Sequence, residues 1–155
     1  MQASLDGLDF KATYGVVISK GSSSLLAFPG RKQSLSHDWQ DEEGIDIDLS
    51  NPVFEPRDFT LTCAQIAASR DDFFTKNNAL FTALSAPGTR QLYIADMDRT
   101  FIVYYKSQAN CTKLSKIINT SKVGIKFDLV FSETNPADNI PAVYLVDDQD
   151  RFLIA

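Results

Sequence analysis

Histidine is nearly absent from this sequence, cysteine is scarce, and no apolar run is long. The single histidine, His37, would have to serve any Ser-His-Asp or Cys-His arrangement. It stands in an irregular segment between Ser36 and Asp38, where a surface histidine is the simpler reading. The two cysteines, Cys63 and Cys111, have no partner at CxxC or CxxH spacing, which leaves structural zinc unsupported. One distant pair also falls short of the dense cysteine framework of small secreted domains, so free thiols are expected. No stretch reaches the ~18 apolar residues of a membrane span, and the N-terminal MQASLDGLDFK has no basic flank followed by an apolar run. The expectation is a protein made and kept in a cytoplasm, off the membrane. Basic residues are in deficit, with 15 Lys and Arg against 20 Asp and Glu, a net charge of -5. That sign opposes counter-ion release from phosphates, so no specific nucleic-acid binding is expected. The phosphate-cradling GxxxxGK[ST] is missing. Gly21 and its three following serines read as a flexible loop, and no cofactor motif stands out.

What is present is material for one core. The chain has 155 residues with 44% apolar content and eleven phenylalanines, enough for a single domain over residues 1–155. Strict alternation, the signature of a half-buried strand, runs through Phe59, Leu61 and Cys63. It is longest through Val123, Ile125, Phe127, Leu129 and Phe131, which reads as a central strand. Ile45, Ile47 and Leu49 alternate with Asp46 and Asp48 and read as another half-buried strand. QLYIA and TFIVYY flank the polar turn Asp96 to Arg99 as a hairpin over residues 90–106, apolar on both faces and therefore expected to be covered. A second hairpin closes the chain at 142–155, after a proline-containing arm at 134–141.

One segment reads as a helix. Ser69 or Arg70 lies near its start, Asp71 and Asp72 in its first turn, and Pro87-Gly88 beyond its end. Phe73, Phe74, Asn77, Leu80, Phe81 and Leu84 recur at helical spacing and require a sheet to lie on. The order of strands, one helix, a hairpin and further strands excludes a regular βαβ repeat. The class is mainly β, of the α+β kind. Residues 20–44 fit neither period and form a long excursion. Its large aromatics, Phe28 and Trp39, either fold back as a lid on their own core or bury themselves in a neighbour. Carboxylates crowd between Asp38 and Asp48, but the EF-hand spacing is missing and a solvated face is preferred. Asp96 and Asp98 read as turn residues, not as a metal-binding pair.

The order and spacing of FPGR, DWQDEEGIDIDLS, FTLTC, DDFFTKNNALFTALSA, PGT, RQLYIADMDRTFIVYY and VGIKFDLVFSE resemble the tail-tube fold of bacteriophages, in particular the N-terminal domain of distal tail proteins. The resemblance covers a core of about residues 8–133. It implies a β-sandwich or open barrel flanked by one α-helix, to which this chain adds its C-terminal β-hairpin. It also implies a hexameric ring built by sheet edges and exchange of a long loop, with other phage tail proteins as partners and the virion tail, assembled in the host cytoplasm, as location. Carried onto this chain, the exchanged loop is 20–44. Phe28, Arg31, Trp39, Ile45 and Ile47 become interface candidates, and DNA passes through an acidic lumen without specific binding. The implied role is structural, with no cofactor and no enzymatic activity. Two other readings stand beside it. One is a monomeric β-rich binding module using the loop aromatics. The other is a hydrolase whose carboxylate pair comes from Asp38, Asp41, Glu42, Glu43, Asp46 and Asp48.

Overall fold

The computed structural model describes residues 1–41, 43–118 and 121–136. In chain order the elements are β1 (Ala3–Leu5), β2 (Leu8–Asp9), α1 (Phe10–Tyr14), β3 (Val16–Lys20), a 3-10 helix (Ser22–Leu26), β4 (Ser36–His37), β5 (Asp46–Ile47), β6 (Arg57–Ala67), α2 (Arg70–Ser85), β7 (Arg90–Ile94), β8 (Arg99–Lys113) and β9 (Val123–Glu133). Seven strands form one antiparallel sheet in the order β2-β1-β7-β8-β9-β6-β3, and β4 and β5 pair by themselves.

Alternation sets the middle of the sheet. β6 and β9 pair without a register break from Arg57↔Glu133 to Ala67↔Val123. Phe59, Leu61 and Cys63 on one strand and Val123 to Phe131 on the other bury the same face. As the long alternation predicts, β9 is an inner strand with partners on both sides. Fully burying one such Phe or Leu contributes about 1.5–3 kcal/mol of transfer free energy.

The sheet curls until its ends nearly meet. The Met1 amine, beside β1, donates to the Ile18 carbonyl of edge strand β3 at 3.0 Å. α1 spans the remaining seam, capped by Asp9, whose Oδ1 accepts from the Ala12 N–H at 2.7 Å. Gln65, fully buried in β6, donates from Nε2 to the Tyr14 carbonyl at 2.9 Å and fastens α1 to the sheet. The result is an open barrel.

α2 starts where the sequence places it. Ser69 Oγ accepts from the Asp72 N–H at 3.1 Å, and Asp72 Oδ2 accepts in turn from the Ala68 N–H at 3.1 Å, a reciprocal cap. Phe73, Leu80 and Leu84 join the core, whereas Phe74 and Phe81, on the flank of the apolar stripe, stay exposed.

Three expectations need correction. The serine run after Gly21 is a 3-10 helix with Leu25 buried, not a flexible loop; Gly21, at φ 107, packs against β6 at Thr60 and Leu61. The hairpin of β7 and β8 is longer than 90–106 and is covered on one face: Leu92, Ile94, Phe101 and Val103 are buried while Tyr104 is exposed. The alternation at 45–49 is not half-buried within the chain, since Ile45, Ile47 and Leu49 are all exposed. The arm at 134–141 is described only as far as Pro136, and the hairpin at 142–155 lies outside the described residues.

Candidate functional site

Between the 3-10 helix and β6 the chain leaves the barrel as a two-stranded arm. Arg31 bridges Phe54, the Lys32 N–H donates to the Val53 carbonyl at 2.8 Å, and the Glu55 N–H donates to the Gly30 carbonyl at 2.8 Å. Farther out, Ser36 pairs with Ile47 and His37 with Asp46. The excursion read at 20–44 is therefore the outgoing half of a hairpin whose return reaches Pro56. Pro52 and Pro56 fit the return strand because both of its edges are not needed for pairing.

Among the described residues from Leu26 to Pro56 no side chain is buried. Phe28 is 91% exposed, Leu35 84% and Trp39 49%, so the aromatics form no lid on their own core. Near the tip Trp39 is held in place: its Nε1 donates to Asp46 Oδ2 at 3.0 Å, and its ring meets His37 edge-on with centroids 4.0 Å apart. The outer part of the arm thus carries Trp39 on the face of His37 and Asp46 and Ile45 and Ile47 on the opposite face, while Phe28 and Arg31 stand at its root. Two of the carboxylates here have local partners. Asp46 receives Trp39, and Asp48 lies below its ordinary value because the Ser50 hydroxyl and N–H both donate to it. Among the described residues no group of three or more His, Cys, Asp or Glu is gathered to hold a metal ion.

The root of the arm is locked to the sheet by a residue that sequence reading did not single out. Arg57 donates from Nε, at 2.8 Å, and from Nη2 to the Glu133 carboxylate, and from Nη1 to the Leu25 carbonyl at 3.0 Å and the Ala27 carbonyl. The Glu133 side chain is fully buried and Arg57 nearly so. An Arg and a Glu on neighbouring strands carry no signal of their pairing until the register is known.

Two further surfaces bear on assembly. The outer edges of β2 and β3 have no strand partner within the described chain, and unpaired edges are templates for another strand. An open cleft of about 770 Å³ lies at the seam between them, lined by Met1, Asp9, Phe10, Lys11 and Val17 among others. Among the described residues no helix is long and apolar enough to cross a membrane.

No family model matches this chain, and no curated protein matches it. Among solved structures it is similar to the SPP1 Dit (gp 19.1) protein, described as a paradigm of the hub adsorption apparatus in phages infecting Gram-positive bacteria. The TM-score is 0.59 at 14% identity, over 87% of this chain and 50% of that one. The chain spans about half the length of the structure it matches. The likeness establishes a shared fold.

Proposed function

We propose that this chain is a structural component of a phage or prophage tail, in the distal tail or the tail tube, that assembles into a ring, six-fold in symmetry, by edge-strand pairing and exchange of the arm. The observation that carries the reading is the arm itself: Trp39, Ile45, Ile47 and Leu49 are apolar, exposed and left uncovered by the described residues. A monomer leaves such a surface in water, whereas a neighbour removes it. The unpaired edges of β2 and β3 support the same conclusion, because a closed ring pairs edges without open-ended growth. The fold shared with SPP1 Dit supports a tail setting, with other tail proteins as partners and DNA passing through the lumen without sequence-specific contact. On this reading the protein has no catalytic role.

The test is the absolute mass of the purified protein over a wide concentration range, with images of any large species. Rings or stacked tubes of six subunits are expected. A persistent monomer that nonetheless binds a ligand through Phe28 and Trp39 would favour the binding-module reading instead.

A further inference from the structure

At the end of the sheet opposite the arm's root lies a second apolar surface, and it has the opposite charge. An open groove of about 770 Å³ is lined by Arg70 and Phe74 of α2, Lys113 at the end of β8, and Leu114, Lys116 and Ile118 beyond it. Phe74, Leu114 and Ile118 are 42%, 59% and 65% exposed. The Arg70 guanidinium stands 5.7 Å from the centre of the Phe74 ring, and no carboxylate is among the lining residues.

The arm is the chemical complement of this groove. Residues 33–56 contain seven carboxylates (Asp38, Asp41, Glu42, Glu43, Asp46, Asp48 and Glu55) and no Lys or Arg. With these set aside, 13 acidic and 15 basic residues remain. Two of those basic residues, Arg31 and Lys32, stand at the arm's root, so the arm as a whole carries -5, the entire negative balance of the chain, and the rest is neutral.

The arm does not occupy this groove in its own chain. The arm is rooted at Arg57, the first residue of β6, while the groove lies beyond Ala67, its last. Eleven strand residues separate the two by roughly 33 Å at about 3.3 Å per residue. Among the described residues, no arm side chain from Leu26 to Pro56 is buried. We propose that the groove of Arg70, Phe74, Lys113, Leu114 and Ile118 receives the arm of a second copy, with Ile45 and Ile47, on one face of the arm, covering its apolar floor and the arm carboxylates facing Arg70 and Lys113. This rests on the ring reading and adds the acceptor to it. A contact from one end of a subunit to the other end of the next is heterologous, the kind from which rings close.

Charge reversal on the full chain tests the pairing, read by sedimentation across concentration at low salt. The double variant Arg70→Glu/Lys113→Glu and the double variant Asp41→Lys/Glu43→Lys should each weaken association at least about tenfold, since like charges then face each other. Mixed in equal amounts, the two should recover assembly, because each arm then meets a groove of opposite sign. Lys113→Gln gives a milder version of the first comparison should the double reversal disturb folding. Wild-type-like assembly of the groove variants would overturn the docking site and leave the ring standing. Two weakened variants that fail to rescue each other would overturn it as well. A wild-type protein that stays monomeric throughout would remove the ring and the docking site together.

Discussion

Arg57 and Glu133 face each other directly across the β6–β9 register, and the guanidinium that neutralises the buried Glu133 also gathers the carbonyls of Leu25 and Ala27. One side chain thus connects the centre of the sheet to the point where the arm departs. Replacing Arg57 with Ala takes the guanidinium away from a buried carboxylate, a change that costs about 3–5 kcal/mol in comparable pairs. Urea unfolding should report that loss, and hydrogen exchange should rise at residues 25–31. A variant within about 1 kcal/mol of the parent would show that the pair is not the anchor.

Gly21 offers a sharper steric test. Its φ of 107 is left-handed, and a Cβ there would lie 2.1 Å from the Thr60 carbonyl oxygen. Backbone cannot move aside as a flexible side chain can, so Gly21→Ala should destabilise by more than the ~1 kcal/mol of a purely conformational penalty. Gly88→Ala, also at positive φ but with nothing within 4 Å, should stay near that smaller figure. Equal melting temperatures for the two variants would contradict the close approach.

The thiols differ in the same way as their surroundings. Cys63 is buried in β6, and burial first, then the nearby Asp128 charge, pushes its thiol up to about 12. Cys111 is exposed near the end of β8. Ellman's reagent at mild alkaline pH should titrate one thiol in the native protein and two in denaturant. Two fast thiols in the native state would place Cys63 outside the core.

Much of this architecture is legible in the sequence because burial leaves a period. β6, β9 and α2 were readable from Phe59 to Cys63, Val123 to Phe131, and Phe73 to Leu84. The second half of β8 was not: Ser107 to Lys113 is polar and exposed, and what holds it is hydrogen bonding to β9, which side-chain pattern does not encode. Asp6-Gly7, a dipeptide that favours tight hairpins, signalled the β1–β2 turn but was surrounded by too short a pattern to stand out. The alternation at 45–49 was real as a sequence feature, yet period identifies two faces without saying what covers either. Net charge misled in a related way. A value of -5 suggests an evenly acidic subunit, whereas the negative charge is concentrated on the arm.

Acid should loosen the fold from a predictable direction. Asp58 is held below its ordinary 3.8 chiefly by the Lys106 hydrogen bond and next by Ser132. Asp128 is lowered by Asn110 and Thr62, and Asp72 by Lys76 and the Ala68 N–H. A carboxyl more acidic in the folded than in the unfolded state adds stability above the unfolded value, and that stability is lost as pH falls through the folded one. The melting temperature should therefore change little down to about pH 5 and decline below it. The decline should be modest, since these groups are exposed to solvent and screened. Stability that rose on acidification through this window would contradict the assigned partners.

Trp39 is the chain's single tryptophan and lies on the arm, so its fluorescence reports the arm and nothing else. It is half exposed, with its indole N–H already donating to Asp46; covering it by a neighbour therefore removes apolar surface without leaving a donor unmet. If the arm is exchanged between subunits, emission should shift to shorter wavelength as concentration rises, in step with the increase in mass. Trp39→Ala should weaken association by about 2 kcal/mol or more, the range of a buried aromatic anchor, while leaving the melting of the dilute protein unchanged because the ring touches no core residue of its own chain. Assembly of unchanged strength in that variant, or an emission maximum that stays fixed while the mass grows, would mean that the arm is a bystander and that the sheet edges alone hold the ring.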